Sequence, residues 1–126
     1  MQLSRLLTIA LLLLTGTFAQ SPNRPVPTNV MATLTVKEGV ARDQMMKVMP
    51  TEVRDTVQLY LDGRIQQWYA RGDAKGVVFI LDCKTVDEAK ALLEKLPLIQ
   101  QNFASFEYMV LGPLTPLRLL ITPSAQ

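Results

Sequence analysis

The chain has no histidine and a single cysteine among its 126 residues, and aromatic side chains make up only 6% of it. Without an imidazole base, a Ser-His-Asp triad is excluded, and one cysteine cannot supply a classical zinc site. Metal ligands are therefore expected to be none. Cys83 also has no second cysteine to pair with, so stability has to come from packing rather than an intramolecular disulfide. There is no Asn-X-Ser/Thr sequon. No Gly-rich phosphate loop is present either, because Gly72 and Gly76 flank a polar turn instead of opening a helix. No cofactor is implied. Thirteen basic side chains stand against eleven acidic ones, and Arg5 lies in the leader described next. That balance gives no electrostatic reason to expect nucleic acid or an anionic membrane as partner.

The one long apolar run is at the start. Met1-Gln2-Leu3-Ser4-Arg5 precedes a nearly all-apolar stretch from Leu6 to Leu14, followed by small residues at Thr17 and Ala19. This is the pattern of a secretory signal over residues 1–19, cleaved after Ala19. Its apolar core falls short of the roughly 20 residues that span a bilayer. The expected location is secreted or periplasmic, with no membrane association after cleavage. Residues 20–29 hold three prolines and read as an extended linker.

Residues 30–112 carry the pattern of one domain. Val30 to Lys37 alternates as a strand, with Ala32, Leu34 and Val36 on one face. Helical periodicity follows from 42, interrupted by Pro50, which predicts a short helix over 42–49 and a second one starting at Pro50. Its stripe of Met46, Met49, Val53, Val57 and Tyr60 is expected to face the sheet. Gly63 sits where that helix needs a left-handed terminator. Ile65 to Arg71 is the second strand, with Ile65, Gln67, Tyr69 and Arg71 on one face and Gln66, Trp68 and Ala70 on the other. A polar turn leads to Val77–Leu81, whose unbroken apolar run suits a strand dry on both faces. Thr85-Val86-Asp87-Glu88 is a capping box for a helix with Val86, Ala89, Leu92, Leu93 and Leu96 buried, ended by Pro97. Ser105 to Leu111 is the fourth strand. The apolar tail of residues 113–126 should pack on this subunit or a neighbour.

The order strand, helix, strand, strand, helix, strand is the ferredoxin-like βαββαβ topology, an α+β fold with a four-stranded antiparallel sheet. Helices cover one face of such a sheet only. A second copy is the simplest cover for the other, giving a homodimeric α+β barrel.

Several segments resemble the muconolactone isomerase-like branch of dimeric α+β-barrel proteins. They are Gly63 with Trp68 five positions on, Gly76-Val77-Val78-Phe79, Thr85-Val86-Asp87-Glu88-Ala89, Leu96-Pro97-Leu98, and the ending Gly112-Pro113-Leu114-Thr115-Pro116. The resemblance implies an isomerase or lyase acting on a small organic acid or lactone by proton transfer. It places Lys37 and Glu52 near the family's catalytic lysine and glutamate. From the strand pattern, Trp68, Tyr69 and Arg71 are candidates for substrate binding, an aromatic and a fixed cation that could hold a carboxylate or enolate. The alternative is a non-catalytic small-molecule-binding or structural dimer. Arg71-Gly72-Asp73 spells an integrin-type tripeptide that arises often by chance. Cys83 reads as a small buried hydrophobe, and Glu107 faces either a pocket or solvent.

Overall fold

The computed structural model describes residues 25–114, together with Leu117 and Ile121. The signal of residues 1–19, the first part of the linker and most of the apolar tail lie outside the described residues. Leu114, Leu117 and Ile121 are exposed.

The elements are β1 (Asn29–Val36), α1 (Arg42–Leu61), β2 (Ile65–Ala70), β3 (Val77–Leu81), α2 (Val86–Leu93), α3 (Pro97–Gln100) and β4 (Ala104–Leu111). They form one antiparallel sheet of order β2-β3-β1-β4, the α+β arrangement that the alternating pattern predicts. Val30, Ala32, Leu34, Phe79 and Leu81 point to the helices and are almost fully buried, joined there by Ile65, Ala89, Leu93, Leu96 and Leu98.

Four rings cross this covered face in contact. Trp68 meets Phe79 edge-on at 5.6 Å between centroids, Phe79 meets Phe106 at 6.0 Å, and Phe106 meets Tyr108 at 5.8 Å. Phe79 on β3 can reach the β4 rings because the residue between them on β1 is Ala32, whose register partners are Phe79 and Tyr108. The Tyr108 hydroxyl ends the row buried and without a hydrogen-bond partner, and burial pushes its pKa up to about 12.

Local sequence rules explain most of the boundaries. Gly63 takes φ +74°, its N–H bonds to Tyr60 O, and Arg64 N–H bonds to Leu59 O, a Schellman closure of α1. Thr85 Oγ1 accepts from Glu88 N–H at 3.2 Å, and the Glu88 carboxylate reaches back to Lys84 N–H at 2.8 Å. In the β2–β3 turn, Arg71 N–H bonds to Gly76 O and Asp73 Oδ1 accepts from Lys75 N–H at 3.0 Å.

Four expectations need correction. Pro50 does not divide α1, which runs unbroken for 20 residues. A proline there leaves one carbonyl, that of Met46, without its helical donor, a cost of about 3 kcal/mol. Both residues sit on the solvent side, so that carbonyl can bond water. The face that α1 buries is also turned one residue, about 100°, from the apolar stripe. Met45, Val48, Met49, Glu52, Thr56 and Leu59 pack inward, while Met46, Val53, Val57 and Tyr60 are exposed. On this inward face Glu52 accepts from Leu98 N–H, and Thr56 Oγ1 donates back to Glu52 O at 2.8 Å within the helix. In β2, a bulge between Ile65 and Gln67 shifts the alternation, so that Ile65 shares the covered side with Trp68 while Gln67 goes with Tyr69. Finally, Pro97 opens a short helix, α3, at its first position rather than merely ending α2 at Leu93.

Candidate functional site

An open groove of about 490 Å³ runs along the outer margin of the sheet, lined by Tyr60, Gln66, Gln67, Trp68 and Tyr69. Each lining residue owes its position to a local device described above. The glycine stop at Gly63 ends α1 just after Tyr60 and folds the chain straight into β2. The bulge then brings Gln66 and Gln67 to the rim together, and the alternation sends Trp68 and Tyr69 to opposite sides of the same strand. Trp68 is 37% exposed and Tyr69 55%, so each offers ring surface while remaining anchored. Trp68 is steadied by its edge-on contact with Phe79. Gln66 Oε1 accepts from Asn29 Nδ2 at 2.8 Å, which orients that amide. Among the described residues β2 pairs only with β3, which leaves its outer backbone groups without a ladder partner there.

Two of the residues expected to bind substrate, Trp68 and Tyr69, come together in this groove. Tyr60, Gln66 and Gln67 are not among the residues expected there: the stripe that includes Tyr60 reads as facing the sheet, and nothing in the sequence pattern marks the two glutamines. Arg71 lies past the end of β2, with its guanidinium committed to Thr35 Oγ1 at 2.6 Å, Leu34 O at 3.3 Å and Asp73 Oδ2 at 2.5 Å. The Lys75 amide and the Arg71 guanidinium hold the Asp73 carboxyl below its usual range. The Arg71-Gly72-Asp73 triplet is thus closed on itself, its two charges joined to each other.

Lys37 sits at the exposed end of β1, where its ammonium donates to Asn102 Oδ1. Glu52 is 5% exposed on the inner side of α1, and its Oε2 accepts from Leu98 N–H at 2.9 Å. Pro97 has no N–H, so Leu98 offers the first free donor of α3, and Glu52 satisfies it. Burial raises the Glu52 pKa, against the lowering effect of that bond, with nearby Asp55 adding to the rise. Among the described residues, no hydrogen bond or ion pair joins any two of Lys37, Glu52, Trp68, Tyr69 and Arg71. The groove carries no charged side chain, and Glu107 lies on the helix-free face opposite Thr33. Cys83 is buried, and desolvation raises its thiol pKa. Among the described residues, no group of three or more acidic or Cys side chains could hold a metal ion, and no helix is long and apolar enough to cross a membrane.

No protein-family model matches the chain, and no curated protein matches it in sequence.

Proposed function

We propose that this protein is an exported, homodimeric α+β barrel of the muconolactone isomerase-like kind that binds a small molecule without turning it over. The observation that carries the reading is the sheet face away from the helices. It presents Met31, Val78 and Ile80, half-buried, with Tyr69 and Met109 exposed around them. Met31 pairs with both Ile80 and Met109, so the apolar positions lie side by side across three strands. A second copy of the same face, turned by a two-fold axis, matches apolar surface to apolar surface and closes the barrel. The helix-free side of β3 then becomes dry, as its unbroken apolar run asks.

The preference for binding over catalysis rests on the groove. Proton transfer needs a base and a donor or cation aimed at one reacting atom. The groove supplies neither, and Lys37, Glu52 and Arg71 are each engaged elsewhere. One observation favours the second reading, an isomerase or lyase acting on a small organic acid or lactone: Glu52 is a buried carboxylate with a raised pKa, a common property of catalytic bases.

Light scattering on the secreted protein tests the assembly. The expected mass is near twice that of the single chain. Met31→Lys, which puts a charge at the centre of the face, should give a monomer with an unchanged circular dichroism spectrum. A wild-type monomer stable at micromolar concentration overturns the barrel.

A further inference from the structure

We infer that the groove beside β2 takes a neutral, polyhydroxylated ligand, a sugar ring or short oligosaccharide. The inference rests on the small-molecule-binding reading above and gives it a ligand class. Three aromatic rings, those of Tyr60, Trp68 and Tyr69, line one concavity at the surface. The faces of sugar rings carry C–H groups of slight positive character, which pack against the negative faces of aromatic rings. Tyr60 and Trp68, 49% and 37% exposed, lie outside the face proposed for dimerisation and leave ring surface available, while Tyr69 borders that face.

The polar groups fit the same class. Among the described residues, Gln66 and Gln67 are the non-aromatic lining residues, and a carboxamide both donates and accepts, as a hydroxyl does. Because Gln66 Oε1 is occupied by Asn29 Nδ2, its amide N–H groups remain to donate. The outer edge of β2 adds unpaired backbone donors and acceptors alongside. A carboxylate or phosphate would find no counter-charge among the described residues, where no Lys or Arg lines the groove and Arg71 is paired with Asp73. The volume lies within the roughly 300–1,000 Å³ usual for small-ligand sites. An open groove, unlike a closed cavity, also lets a chain of sugars run through.

Trp68 is the only tryptophan, so its fluorescence reports on the groove directly. The experiment titrates the secreted protein with cellohexaose, maltohexaose and chitohexaose, and separately with 1-naphthol. The expected result is a saturable change in emission with at least one oligosaccharide, weakened at least tenfold in Tyr60→Ala and in Gln66→Ala. No saturable response to any of the three sugars overturns the inference, as does a response that both variants leave unchanged. A response to 1-naphthol alone rejects the sugar class while leaving small-molecule binding in place; silence with every probe removes both. The Met31→Lys monomer should still respond, because the Tyr60 and Trp68 rings lie on the helix side of β2, away from the dimer face. Failure of the dimer and failure of the ligand class are therefore read separately.

Discussion

Both faces of the sheet carry apolar side chains, interspersed on the open one with Thr33, Gln67 and Glu107, and their fates are opposite. Under the helices, Val30, Ala32, Leu34, Phe79 and Leu81 are all at or below 3% exposure. On the other side, Met31, Val78 and Ile80 are only half-covered, and Tyr69 and Met109 are open to water. The difference lies in what each face can recruit from its own chain. Both crossover helices pack on one side, and among the described residues no element covers the other. An apolar face with no intramolecular partner is a reason to associate, and a polar one would not be. The fold therefore specifies its core through one face and its assembly through the other.

Truncation on the covered side of β3 tests the first of these roles. Phe79→Ala removes the ring that joins Trp68 to Phe106 at the centre of the covered face. We expect a loss of about 3–5 kcal/mol in urea unfolding, independent of protein concentration, as for other buried phenylalanines. A loss below about 1 kcal/mol would mean that the covered face is not the core.

Gly76 links the two faces, because β3 passes so close to β1 there that an added Cβ would press on the Leu34 backbone, with its carbonyl carbon at 2.9 Å. Backbone cannot rotate away as a side chain can. Gly76→Ala should cost roughly 1–3 kcal/mol by overpacking. Since it pushes β3 off β1, it should weaken self-association as well as unfolding stability. Urea titration and light scattering on the same sample check both effects, and a variant that lost neither would show that the close approach can relax.

Where the sequence led correctly, the signals were local and redundant. Strand order, the Gly63 stop and the Thr85 cap each followed from residues a few positions apart. What escaped depended on partners distant in sequence. The inward face of α1 includes Glu52, which meets Leu98 46 positions away, a contact that the apolar stripe of Val53 and Val57 does not announce. The bulge in β2 adds one residue without any glycine to announce it, so the facing of Gln67 could not be counted from Ile65. The same logic governs the site. Trp68 and Tyr69 were legible as aromatic residues on a strand, whereas Tyr60 joins them only because α1 stops where it does and turns as it does.

The smallest predicted effect concerns the buried polar spot on the covered side. A carboxyl whose pKa is raised by folding binds its proton more tightly in the native state than in the unfolded chain. The native state is then favoured below the unfolded pKa, and that contribution is lost as pH rises through the raised folded value. Glu52→Gln keeps an oxygen for the Leu98 N–H and removes the charge. At pH 7 it should therefore be more stable than wild type, by about 0.5–1 kcal/mol for one buried charge relieved but still hydrogen-bonded. On acidification from pH 7 toward pH 4 the gap should narrow, because wild type neutralises the same group by taking up a proton. Thermal unfolding of both proteins across that range reads the sign directly. A variant less stable than wild type at pH 7, with the gap widening as pH rises, would show that the ionised carboxylate is what α3 requires, and that its charge is stabilised by more than the Leu98 amide.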